Sequence, residues 1–491
     1  MAFDRSYWSN NCVILDGNSN TSSMKQNLST QWLFILFPAL AMMLGWGLRG
    51  HIGGGPFGAM IPGAMLGLSL GILLKLPTQL TAILTVFGVV GIGLGGEMTY
   101  GQTLGFLRNP DTVWWGLAGT TLKGGVWGLL GGVVFSLGFL YHRIPGKVIL
   151  VGFLIMLAAF LLGFKMINDP KLLYFSGPDR PRDESWGALL MGAIALLMYY
   201  KTKLLAFDFS LIRRFAIYGL VGGALGFGLG SLFIVINARF PHTILRDWWK
   251  MMEFTFGFLL GGAYGLAAWK SRETLATITK EYVPSRLNNS FSVVKEILLL
   301  AILAIVVHAI VPYSLEPIVD SLNRSYADGF GSALLRDILR MVVNYGFFGL
   351  LMVLVIMKFP EIAWQIGIAL TFSHAAIDLI RDFYPDRNVW SPFSMHFILV
   401  GGMTLVVSYL TAYYRRRKNT VYNLFLVLIW SCIAVSLLRL FFLSGSLSVA
   451  GLTFLQIVLD RFFVDLYFLV CAIILTVLIG RFRKNQPLVD G

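Results

Sequence analysis

An all-α, polytopic integral membrane fold with about fourteen transmembrane helices is what this sequence predicts, and three observations predict it. Charged residues make up only 13% of the chain and hydrophobic residues 56%, with a mean hydropathy of +0.73. A soluble domain carries about 25% charged residues, so this chain cannot cover a water-exposed surface with polar groups. Many apolar stretches reach the roughly 20 residues that a helix needs to cross the hydrocarbon core. The alternation of a membrane barrel is missing, which leaves helices as the spanning solution. Lys and Arg, finally, gather in short loops that fall on one side when the crossings are counted.

Residues 1–30 are polar, with Asn and Ser runs and no cleavable signal pattern, and read as a cytoplasmic segment. Spans are expected near 31–48, 53–74, 80–106, 113–141, 147–164, 185–200, 211–236, 248–269, 293–313, 338–358, 361–380, 393–414, 421–443 and 461–480. The loops 143–147, 201–214, 270–295, 415–418 and 481–484 are strongly basic. Fourteen crossings place all of them on one face, the cytoplasm, together with both termini. Loops 314–335, 381–392 and 444–460 then lie outside. These loops account for the net charge of +14, so the expected partner is the lipid bilayer and not nucleic acid. Membrane-protein partners remain open, and a plasma or inner membrane is the expected location. The three cysteines, Cys12, Cys432 and Cys471, are far apart and show neither metal nor redox spacing.

A tandem repeat is legible before residue 270. GAMIPGAM at 58–65 is matched by GALLMGAI at 187–194, and GVVGIGLG at 88–95 by GALGFGLG at 223–230. Trp114-Trp115 matches Trp248-Trp249, and the LLGG at 129–132 matches that at 259–262. The order predicts two four-helix units, 31–141 and 147–269, related as a parallel 4+4 repeat about the membrane normal. The 53 glycines suit close helix approach in lipid. The basic stretch 270–292 reads as a cytoplasmic linker, 293–480 as a six-helix module of Leu, Ile, Val and Phe, and 481–491 as a cytoplasmic tail.

Candidate chemistry is sparse. Gly91, Gly93 and Gly96 fit a dinucleotide spacing, but they lie in a predicted membrane helix with no preceding strand, so they read as packing. The segment 45–58, GWGLRGHIGGGPFG, embeds Arg49 and His51 in a glycine and proline cluster between two spans. Interrupted backbone at membrane depth beside a cation favours an anion or polar headgroup, against the alternative of a tight turn with a snorkelling arginine. Glu97 and Gln102 lie inside the predicted third span, where a carboxylate is a functional candidate by default. Arg49, His51, Glu97 and Gln102 are therefore the expected substrate-binding set. Lys123 and Glu253 each stand six residues before an LLGG tetrad, which predicts an ion pair between the two units. In the second module His374 and Asp378 share a helix face and His396 follows, a second candidate site for proton relay or ligation. No metal site and no cofactor is indicated. Two further readings are weighed against a transporter or channel for a small polar or anionic solute. One is a membrane-embedded enzyme acting on a lipid or lipid-linked sugar, and the other is a non-catalytic subunit of a larger complex. Transport is favoured on the parallel repeat, the Gly/Pro-interrupted spans and the ionisable residues within the repeat unit.

Overall fold

The computed structural model describes residues 17–52, 55–98, 100–177, 184–240, 248–283, 292–306, 347–374, 401–443 and 463–485, with isolated positions at 317, 321, 376 and 453. Every regular element among them is helical. In chain order these are α1 (Gly17–Ile52), α2 (Gly55–Leu73), α3 (Thr78–Gly95), the short α4 (Gly101–Gly105), α5 (Val113–Leu140), α6 (Gly146–Gly163), α7 (Trp186–Lys203) and α8 (Ala206–Arg239). They continue with α9 (Trp248–Lys270), α10 (Arg272–Glu281), α11 (Val293–Ile305), α12 (Phe347–Lys358), α13 (Gly401–Tyr414), α14 (Thr420–Leu443) and α15 (Phe463–Asn485). Among the described residues, eight helices are long and apolar enough to cross a membrane: α1 from Gln31 onward, α3, α5, α6, α8, α9, α14 and α15. Apolar side chains such as Ile217, Leu220, Leu225 and Leu229 of α8 face outward, as a lipid solvent requires.

The predicted third span is divided. α3 stops at Gly95, and the chain then runs through Tyr100 into α4. Two glycines at 95 and 96 weaken the helix. The Trp127 indole packs on Gly95 and donates to the Ile92 carbonyl at 2.8 Å, so it supplies a partner at the helix end. Glu97 and Gln102 therefore do not share a helix face. Arg49 and His51, expected in a broken loop, lie in the last turn of α1.

Six helices close into a ring, in the order α1, α2, α3, α5, α8, α9 and back to α1. The ring consists of three hairpins, α1–α2, α3–α5 and α8–α9. The second helix of each hairpin carries glycines four residues apart, and it packs antiparallel on the first helix of the next hairpin. Gly63, Gly67 and Gly71 of α2 meet Gly88, Thr85 and Thr81 of α3. Gly124, Gly128 and Gly132 of α5 meet Gly223, Gly219 and Phe215 of α8. Gly257, Gly261 and Gly265 of α9 meet Met42, Pro38 and Phe34 of α1. In each case the numbers run in opposite directions, and a Cβ would strike the facing chain. Backbones this close gain dispersion contacts that a bulkier residue would prevent.

The ring draws four helices, α1, α2, α3 and α5, from 31–141 and two, α8 and α9, from 147–269. α1 and α2 stand in the ring, whereas α6 and α7, their counterparts by sequence matching, pair with each other, and α7 packs on α5 and α8. The three glycine crossings also align Gly124 with Gly257, which is three residues away from the register of the LLGG tetrads.

The ring interior is filled. Trp46 of α1 reaches Trp127 of α5 across it, with ring centroids 4.9 Å apart, and Phe256 and Phe227 complete the cluster. Tyr264 of α9 also crosses, donating to the Gly128 carbonyl at 2.6 Å. At one end the connections after α5, α7 and α9 converge. Arg143 pairs with Asp208 at 2.6 Å and with Glu281 at 3.3 Å, and Arg214 donates to the Lys270 carbonyl at 2.7 Å. His142 sits in the same cluster, its Nε2 donating to the Ile278 carbonyl at 3.1 Å, and burial holds its pKa below the ordinary histidine value.

The later helices pack against α1, α2 and α3. Phe37 of α1 lies against Phe425 of α14 and Phe482 of α15, and Phe254 of α9 stacks on Tyr467 at 4.2 Å. Within this module Glu296 of α11 is fully buried and accepts from Arg415, from Arg416 at 2.6 Å and from Gln365 at 3.2 Å. Gln365 opens a π-helical turn, Gln365–Leu370, and also exchanges hydrogen bonds with Ser408 of α13.

Candidate anion site at the end of the helix ring

The end of α1 reads Gly45-Trp-Gly-Leu-Arg-Gly, and each glycine admits a different neighbour. Gly45 abuts Pro62 of α2, with the Pro62 Cα 2.8 Å from where a Cβ would lie. Gly47 takes the rings of Phe254 and Phe468. Gly50 takes an ion pair: a Cβ there would stand 2.8 Å from Glu253 Oε1 and 2.9 Å from Lys250 Nζ. Small residues thus let α9 and α15 close around the one turn that carries Arg49.

Arg49 is 4% exposed. Its Nη1 donates to the Tyr100 hydroxyl at 2.6 Å, and its guanidinium carbon stands 5.2 to 5.8 Å from the ring centroids of Trp127, Tyr100 and Trp46. Tyr100 in turn donates to Glu253 Oε1 at 3.2 Å, which also accepts from Trp249 Nε1 at 3.1 Å. Lys250 Nζ donates to Glu253 Oε2 at 2.6 Å and to the Gly47 carbonyl at 3.3 Å. The carboxylate is therefore committed to Lys250, one turn away on its own helix, and reaches Arg49 only through the tyrosine. Among the described residues Arg49 forms no salt bridge. A buried cation with an aromatic cage and no carboxylate of its own is suited to hold an anion.

The predicted pairing of Lys123 with Glu253 is not what the structure shows. Lys123 is salt-bridged to Glu184 at 2.6 Å and donates to Thr103 Oγ1 at 2.8 Å. Glu184 also accepts from the Phe175 backbone N–H at 3.0 Å and from Ser176 at 3.3 Å. The reason is topological: α8 stands between α5 and α9 in the ring, so their equivalent residues do not face one another. Nor are the two positions equivalent, since Lys123 immediately precedes Gly124 whereas Glu253 lies a full turn before Gly257.

Of the expected binding set, Arg49 is in the site, His51 pairs with Asp465, and no hydrogen bond or ion pair among the described residues joins Glu97 or Gln102 to Arg49. His51 turns toward α15, where its Nε2 lies 3.4 Å from Asp465 Oδ1 and its ring meets Phe468 edge-on. Ser436 of α14 donates to the same Asp465 oxygen at 2.6 Å. Glu97 is half-buried, and its backbone carbonyl accepts from Ser185 at 3.0 Å. Gln102 is half-buried on α4. Lys250 and Trp249 are the members that sequence reasoning missed, whereas Tyr100 was already a candidate beside Glu97 and Gln102. Lys250 precedes Glu253 by three residues, so it was close to a residue already singled out. In the second module, His374 is fully buried and stacked on Phe57 of α2 at 4.8 Å, while Asp378 and His396 lie outside the described residues.

Comparison with protein-family models, with curated proteins and with solved structures returned no match.

Proposed function

We propose that this protein is a multi-pass membrane transporter for a small anionic solute, with Arg49 as the residue that holds the anion. The observation that carries this reading is the burial of Arg49 beside Tyr100, Lys250 and Glu253 without a salt bridge of its own among the described residues. A single charge at membrane depth costs several kcal/mol, by order of magnitude, unless it is compensated, and a bound anion compensates it. A carrier fits better than an open pore, because Trp46, Trp127, Phe227 and Phe256 close the ring interior next to the guanidinium. Passage then needs a rearrangement of helices, as in transporters that rock about a fixed central site.

The same reading includes fourteen crossings with both termini cytoplasmic, in a plasma or inner membrane. Antiparallel packing at all three glycine crossings supports the alternation of the ring helices. The convergence of the basic connections around Arg143, Asp208, Arg214 and Lys270 supports placing them on one side.

The test is uptake by the purified chain in proteoliposomes, with labelled acetate, nitrate, bicarbonate, sulfate, phosphate and chloride as probes. At least one should accumulate above protein-free vesicles, and Arg49→Gln should abolish that accumulation while eluting as wild type on size exclusion. Unchanged uptake in Arg49→Gln, or none of the six taken up by the wild type, would overturn the assignment.

A further inference from the structure

The groups around Arg49 also select among anions, an inference that rests on the reading that Arg49 holds one. Its Nη1 is committed to Tyr100. Its Nε is buried and has no hydrogen-bond partner among the described residues. Nε and Nη2 form the open edge of a planar guanidinium, with two parallel N–H bonds that match the two oxygens of a flat acid group. One turn earlier on the same helix face, Trp46 is fully buried, and its Nε1 also has no partner among the described residues. Its ring centroid lies 5.8 Å from the Arg49 guanidinium carbon. A buried N–H left without an acceptor costs about 1–3 kcal/mol, so two such donors within one helical turn point to an acceptor that both could share.

Among the described residues, the acceptors nearest the guanidinium already have donors. Glu253 Oε1 takes Tyr100 and Trp249, and Glu253 Oε2 and the Gly47 carbonyl take Lys250. Charge limits the guest further. Among the described residues, Arg49 and Lys250 face the one carboxylate of Glu253, a set that one negative charge neutralises, and a second negative charge would be repelled by Glu253. His51 does not alter this balance, because it faces Asp465 on the side of α15. Shape points the same way. The indoles of Trp46 and Trp127 and the phenol of Tyr100 surround the guanidinium, and flat walls accept a flat guest better than a tetrahedral one.

We propose that the Arg49 site takes a planar, monovalent oxyanion, of the chemistry shared by carboxylate, nitrate and bicarbonate. It is bound edge-on to Nε and Nη2 of Arg49, with Trp46 Nε1 donating to one of its oxygens.

The experiment is thermal unfolding of the purified full-length protein in detergent, at fixed pH and at an ionic strength balanced with a bulky sulfonate salt. Acetate, nitrate, bicarbonate, chloride, sulfate and phosphate are titrated separately. At least one of the three planar ions should raise Tm saturably, and the arm that responds at the lowest concentration identifies the source. Chloride, sulfate and phosphate should shift it less. Trp46→Phe keeps a ring and loses one donor, and should weaken the apparent affinity about tenfold. Arg49→Lys keeps the charge and loses the fork, and should erase the preference for acetate over chloride. A larger response to sulfate, phosphate or chloride would overturn the planar monovalent assignment and leave anion transport standing. No response to any ion would count against both. Equal responses in the wild type and in Arg49→Lys would place binding elsewhere and overturn the proposal.

Discussion

A lysine ammonium buried among helices requires a carboxylate, and Lys123 finds one in Glu184, 61 residues along the chain and outside the ring. Removing one partner of such a pair leaves the other charge stranded, at a cost of about 3–5 kcal/mol. Lys123→Glu should therefore lower the Tm of the detergent-purified protein sharply. Adding Glu184→Lys should recover most of the loss, and adding Glu253→Lys should recover none, because that change also breaks the bridge to Lys250. Rescue by Glu253→Lys would contradict the pairing. At this scale the charged residues themselves were legible, since Arg49, Lys123 and Glu253 stand out in apolar sequence. Their partners were not. Glu184 sits among the mixed charges of a loop, and nothing in its spacing marks it.

Between whole helices the glycine crossings set the geometry. At Gly128 a Cβ would run into the Gly219 carbonyl, and backbone cannot swing aside as a side chain can. Gly128→Ala should destabilise by about 1–3 kcal/mol even though alanine is the better helix former. At Gly480 of α15, no atom among the described residues lies within 4 Å of where a Cβ would stand. Gly480→Ala should therefore be neutral or stabilising by up to about 1 kcal/mol. Thermal unfolding of both variants checks the contrast, and a fall in Tm of the same size in both would mean that propensity or expression, not the crossing, is being read. The four-residue glycine spacing was present in the sequence, and so was the reason for it. Which helix would lie opposite was not, because a glycine stripe is complementary to any other smooth helix face.

Across the whole molecule, the sidedness of the loops has the most direct experiment. Cys432 and Cys471 are buried, so a chain with its natural cysteines replaced is a clean background for labelling. Single cysteines placed at 145, 275, 417 and 485 should react with a membrane-impermeant maleimide only after intact cells are opened. Labelling of any two from outside would overturn the fourteen-crossing arrangement. Docking of the later helices on the ring depends on contacts that no local pattern announces, among them His51 with Asp465 and Phe254 with Tyr467.

By itself the sequence determined the solvent. A chain with 13% charged residues and this many long apolar stretches can satisfy its backbone in lipid only as helices, and that conclusion needs composition and length but no knowledge of contacts. It also marked the turn around Arg49 as unusual, because a cation beside several glycines is rare at membrane depth. Only the tertiary structure decided that six helices close into a ring and that α8 separates α5 from α9. The same folding brought Tyr100 and Glu253, 153 residues apart in the chain, onto one hydrogen bond beside Arg49. Such choices depend on which surfaces meet after the helices have formed. In lipid, where hydrophobicity no longer distinguishes one helix face from another, close packing and a few buried polar contacts make the selection.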